Sequence, residues 1–146
     1  MYPVEESLSF FFSRSEQKLI EEIISQHPGY EEIAGDDFGT LLLDWNDFVQ
    51  ECCGGFEGDL WEYRMGLQLR DMLHHVTSSC EEPLKGRILE GLKEPDEKFR
   101  QRLLDSRKRL DNPGTVSEEH FWYNGVIRNA GYELRRDLIR DGWYQP

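Results

Sequence analysis

Six carboxylates, Asp44, Asp47, Glu51, Glu57, Asp59 and Glu62, lie within a short stretch that also holds Phe56, Trp61 and Tyr63. Asp44, Asp47 and Glu51 recur at i, i+3 and i+7. On a helix that spacing puts them on one face, opposite Trp45, Phe48 and Val49. Beyond Gly54-Gly55 the other three acids follow, and no lysine or arginine occurs from Gln26 to Tyr63. The chemistry such a stretch supports is capture. Carboxylates attract a cationic partner from a distance, and aromatic side chains that lose water on contact hold it. The plainer reading is a solvated helix face with Asp44 and Asp59 as helix caps.

Other chemistry finds less support in the residues. Cys52, Cys53, His74, His75 and Cys80 are zinc-type ligands, but vicinal cysteines and vicinal histidines lack the C-x-x-C or H-x-x-x-H spacing that converges on one ion. Cys52 and Cys80 also fall on apolar stripes, where a thiol behaves as a small hydrophobe. Acidic pairs can bind magnesium, yet no phosphate-binding glycine loop accompanies them. No G-x-S-x-G, H-E-x-x-H, Walker loop or G-x-G-x-x-G occurs, and Cys80 and His75 diverge on a shared helix. No metal, no cofactor and no catalytic residue is expected.

The charge is lopsided. The first 62 residues carry 15 acidic and 2 basic groups, whereas the remaining 84 carry 14 and 15, for a total of −12. With a pI near 4.7, direct binding to nucleic acid or to an acidic membrane is disfavoured. Hydrophobic content of 38% with 12% aromatics suits a folded core rather than a disordered chain. Three cysteines, two of them adjacent, do not form a disulfide framework. No long apolar run occurs, and acidic Met1–Glu6 lacks the basic start of a signal peptide. A cytoplasmic protein is expected.

The elements that position these residues read as helices. Ser13 and Glu16 form a capping box for a helix over 14–27, with Leu19, Ile20, Ile23 and Ile24 as its buried stripe. A second helix is expected over 44–53, through Trp45, Phe48, Val49 and Cys52. A third starts at Asp59, with Trp61, Met65, Leu69, Met72, Val76 and Cys80 facing inward and Gly66 as a point of bending. Pro83 opens a fourth, through Leu84, Ile88 and Leu92. Pro95 opens a fifth, through Phe99, Leu103 and Leu110, with Lys98, Arg100, Arg102, Arg107, Lys108 and Arg109 as a mixed-charge exposed face. A last helix spans 132–141 through Leu134, Leu138 and Ile139. Residues 8–12 suit a strand or a packed arm equally. Asn124-Gly125 between Phe121-Trp122-Tyr123 and Val126-Ile127-Arg128 suits a hairpin near 121–128, in competition with a helix from Ser117. The expected fold is mainly α, a single-domain bundle of about six helices over 1–146, with room for that small β-hairpin.

A small acidic chain without catalytic motifs resembles the bacterial immunity proteins that neutralise toxins. The resemblance lies in size, charge and absence of catalytic motifs, and these proteins span many folds. It implies a protein that binds and blocks a basic toxin domain such as a nuclease. Its contacts would be the six carboxylates, with Phe56, Trp61, Tyr63 and Tyr30 as anchors. Separately, Gly55-Phe56, Asp59-Leu60-Trp61-Glu62-Tyr63 and Arg70-Asp71-Met72-Leu73 are similar to a pattern in small bacterial helical proteins, which implies no activity. Two other classes stay open. A nucleic-acid mimic or helical adaptor of a DNA-binding protein would show an elongated acidic face or salt-insensitive binding. An enzyme would show a deep pocket holding carboxylates or His74 and His75 with perturbed acidity.

Overall fold

Ser13 starts the first helix as its residue types dictate. Its hydroxyl accepts the Glu16 N–H at 3.2 Å, and Glu16 Oε1 accepts the Ser13 N–H at 2.9 Å. The helix so capped, α1 (Arg14–Ser25), buries Ile20, Ile23 and Ile24. Leu19, expected in that stripe, is 46% exposed. It lies at the flank of the sector those isoleucines define, about 90° from its centre. The computed structural model describes residues 12–27, 38–104 and 120–144. Phe12 is buried edge-to-face on Phe38. The rest of the 8–12 segment, Tyr30, Arg107, Lys108 and Arg109 lie outside the described residues.

Four further α-helices follow: α2 (Phe38–Cys53), α3 (Leu60–Ser79), α4 (Leu84–Arg102) and α5 (Tyr132–Arg140). Among the described residues there is no sheet, and the molecule is mainly helical as expected, with five helices in place of about six. The difference arises at Pro95, which lies inside α4 rather than opening a separate helix. Leu84, Ile88, Leu92, Pro95 and Phe99 recur at four-, four-, three- and four-residue steps and are all buried. One continuous apolar stripe outweighs the hydrogen bond that proline cannot make. Helix α2 likewise starts before Asp44. Leu41, Leu42 and Leu43 carry its buried side back to Phe38, so Asp44 sits within the helix and is not its cap.

Nor do residues 121–128 form a hairpin. Phe121–Tyr123 is a single turn of 3-10 helix, and Ile127 pairs with Leu103 in an isolated antiparallel bridge. The Leu104 N–H donates to the Val126 carbonyl and the Arg128 N–H to the Arg102 carbonyl, each at 2.8 Å. The end of α4 takes the backbone partners that a hairpin would have supplied within the segment.

The chain divides into two compact units. Among the described residues the first comprises 12–27, 38–47 and 69–94, and the second 48–68, 95–104 and 120–144. In the first, Trp45, Met72, Leu73, Val76 and Ile88 are fully buried with Ile20. Glu16 pairs with Arg87, and Gln17 Oε1 accepts the Phe38 N–H at 3.1 Å. In the second, the core is aromatic. Phe48 meets Phe56, Tyr63 and Phe99 at ring distances of 5.4, 5.8 and 6.1 Å. Among the described residues no helix is long and apolar enough to cross a membrane.

Candidate functional site

Within the second unit, the loop between α2 and α3 is held by its one large apolar residue. The Phe56 ring packs on Phe48 and, at 5.9 Å, on Tyr63. Its backbone bridges Ala130, and its carbonyl accepts the Gly131 N–H at 2.8 Å. A Cβ on Gly131 would stand 2.4 Å from that carbonyl oxygen, so only glycine permits the approach. With Phe56 fixed, Glu57 on the opposite side of the chain is left exposed. Gly55, at φ +89°, turns the chain out of α2 directly after the turn bearing Glu51.

The start of α3 is set by two carboxylates of its own. Asp59 Oδ1 accepts the Glu62 N–H at 2.9 Å, and Glu62 Oε1 accepts the Asp59 N–H at 3.4 Å. This reciprocal cap is the role expected of Asp59. It also brings Glu62 beside the loop. Glu51, Glu57 and Glu62 then share a surface hollow of about 520 Å³ with Gly54, Gly55, Phe56 and Gly58.

Among the described residues, Glu51, Glu57 and Glu62 make no ion pair. Asp137 on α5 shows the contrast. It is buried, accepts the Leu60 N–H at 3.1 Å, and has Arg140 and Arg136 at 3.3 and 3.6 Å. The Leu60 hydrogen bond, reinforced by the two guanidinium groups against the cost of burial, holds the Asp137 carboxyl below the usual carboxylate range. That acid is fully engaged in holding α3 to α5. Of the hollow's three, Glu62 joins the cap of α3 through one oxygen, and none makes an ion pair among the described residues.

The structure therefore gathers three of the six expected carboxylates around one hollow, with Asp59 on the adjoining cap. Asp44 and Asp47 are exposed on the part of α2 that belongs to the first unit. The expected aromatic anchors are redistributed. Phe56 and Tyr63 are core residues, 4% and 0% exposed, and so are not available to a partner. Trp61, expected to face inward, is 68% exposed. The inward residues of the first turns of α3 are instead Leu60, Tyr63 and Leu67, because Tyr63 completes the Phe48–Phe56 cluster. Gly66 has a packing role on this helix. It leaves room for the Phe48 ring, which would lie 2.3 Å from a Cβ there. Two residues escaped notice in the sequence. Tyr132 is 81% exposed beside the loop, and Asp137 ties down the start of α3. For Asp137 the only sequence signal is an acid on the apolar side of α5, between Leu134 and Leu138.

Other candidate chemistry is quiet. Burial pushes the Cys52 thiol far up, with Cys53 and Glu51 adding to the effect, and burial raises Cys80 as well. Such thiols stay protonated and are poor nucleophiles. His27 and His75 meet edge to face at a ring distance of 5.3 Å, and among the described residues no three of His, Cys, Asp or Glu converge on a metal position. The basic residues of α4 are exposed at Arg100, whose guanidinium carbon stands 3.8 Å over the Phe121 ring. Compared with protein-family models, with curated proteins and with solved structures, the chain finds no match.

Proposed function

We propose that this chain is a protein-binding module whose acidic surface in the second unit captures a basic partner, and that it acts as a cytoplasmic bacterial immunity protein blocking a toxin domain such as a nuclease. The single observation that carries the binding part is the hollow of Glu51, Glu57 and Glu62, three acids gathered at one place that make no ion pair among the described residues. Like charges held close together without counter-charge cost the fold stability, and a complementary partner recovers that cost.

The toxin part rests on the demands of the task. A toxin must be captured before it acts, so association rate matters more than contact area. Complementary fields raise the rate from about 10⁵–10⁶ to about 10⁸–10⁹ M⁻¹s⁻¹ at low salt. A chain with net charge −12, all of the acidic excess lying in the first 62 residues, is suited to that steering. The test is capture of the partner from the native source, followed by assay of the partner's own activity. Saturating protein is expected to abolish that activity. A toxin whose activity is unaffected at saturation ends the immunity reading.

A further inference from the structure

The turn after α5 folds back on the segment that holds Phe56. Gly142, at φ +82°, takes the left-handed conformation that reverses the chain after Arg140. The Trp143 and Tyr144 N–H groups both donate to the Leu138 carbonyl, at 2.8 and 3.2 Å. The Tyr144 hydroxyl then spans two backbone groups of the segment before α5. It donates to the Ile127 carbonyl and accepts the Ala130 N–H at 3.3 Å. Ile127 bridges Leu103, Ala130 bridges Phe56, and the Gly131 N–H donates to the Phe56 carbonyl. One phenol therefore closes a strap across a segment tied both to the end of α4 and to the loop of Glu57.

A second phenol acts at the same place. Tyr63 is fully buried, and its hydroxyl has no hydrogen-bond partner among the described residues. Burial pushes this phenol well above the ordinary tyrosine range, and Cys52, the Ile127 carbonyl and Tyr144 also act on it. A buried hydroxyl without a partner costs the folded state the hydration it has lost. The carbonyl that acts on Tyr63 already accepts from Tyr144.

We propose that Tyr63 and Tyr144 compete for the Ile127 carbonyl, which makes the 141–144 turn a releasable strap with two states. In the docked state Tyr144 holds the carbonyl and Tyr63 goes unsatisfied. In the released state Tyr63 takes the carbonyl and the turn leaves for water. Asp141 and Gly142 are exposed and Trp143 and Tyr144 are half-buried, so the strap belongs to the part of the fold that opens at low cost. On release the Ala130 N–H loses its partner, and the Phe56 contact beside it loses its outer support. The strap thereby regulates where Glu57 stands. That consequence for binding rests on the acidic surface proposed above, whereas the competition itself does not.

Amide hydrogen exchange and urea unfolding of the full chain test this with Tyr144→Phe, Tyr63→Phe and the double variant. Tyr144→Phe is expected to speed exchange at Ala130 and Gly131 roughly fivefold, the loss of one neutral hydrogen bond, without equal acceleration in α1. Tyr63→Phe removes the competitor, so it is expected to slow exchange at Ala130 and to raise the urea midpoint. In the Tyr144→Phe background Tyr63 has the carbonyl to itself, and there the same substitution lowers the midpoint. A merely structural role for either hydroxyl gives no such reversal of sign. Tyr132→Phe, which alters an exposed side chain one residue beyond Gly131, is the control and leaves exchange and midpoint unchanged. A midpoint shift of the same sign in both backgrounds, or none in either, overturns the competition. Exchange at Ala130 that Tyr144→Phe does not move overturns the strap. Neither readout uses a binding partner, so failure here leaves the proposed function standing, and failure to capture a basic partner leaves the strap standing.

Discussion

At the scale of single residues, Gly66 and Asp137 bear most directly on how the site is held. Gly66 lies within α3, where alanine would ordinarily stabilise a helix by about 1 kcal/mol. Its missing Cβ, however, is occupied by the edge of Phe48, a ring confined by Phe56, Tyr63 and Phe99. Overpacking of a buried ring costs about 1–3 kcal/mol, so Gly66→Ala is expected to destabilise despite the propensity gain. Urea unfolding gives the sign. Asp137 makes a prediction in pH. Its folded pKa lies below the unfolded value near 3.9, so its contribution is present above that pH and is lost as pH falls through the folded value. Wild-type stability should therefore drop more steeply below about pH 4 than that of Asp137→Asn, which keeps an oxygen for the Leu60 N–H but has no proton to gain. Parallel pH profiles of thermal unfolding would count against the role given to Asp137.

At the scale of elements, the start of α3 is both a cap and part of the proposed surface, and the two roles can be separated. Asp59→Ala should cost about 1 kcal/mol through loss of the cap, whereas Asp59→Asn, an equally good cap, should be nearly neutral. Chemical denaturation of both variants checks this. Elements announced by local chemistry were legible in the sequence. Ser13 and Glu16 declare α1, Gly54-Gly55 ends α2, and Trp45, Phe48, Val49 and Cys52 mark its buried side. What escaped depends on tertiary packing. Pro95 looks like a helix opener until the helix is seen to run through it, with Leu84, Ile88 and Leu92 buried before it and Phe99 after it. Helix α3 contributes Leu60, Tyr63 and Leu67 to one unit and Leu69, Met72, Leu73 and Val76 to the other. A single stripe projected along its length therefore placed Trp61 inside. The three acids of the hollow were legible as residues, but their meeting depends on the Phe56–Gly131 contact, which no local pattern encodes.

At the scale of the whole molecule, the governing quantity is a net charge of −12 with the excess in the first 62 residues. Self-repulsion of that size is screened by salt, whose Debye length shortens to about 8 Å at physiological ionic strength. The melting temperature is accordingly expected to rise between low salt and physiological salt, as thermal unfolding in the two buffers would show. Binding should respond in the opposite direction, because the same screening removes the steering. The most direct test of the central claim is the association rate of the basic partner, measured by stopped flow at two ionic strengths for wild type and for Glu51→Gln/Glu57→Gln/Glu62→Gln. The expected result is a rate lower by roughly tenfold at low salt, with a flatter salt dependence in the variant. Equal rates and equal salt dependence for the two proteins would contradict the claim that this hollow is where the partner is captured.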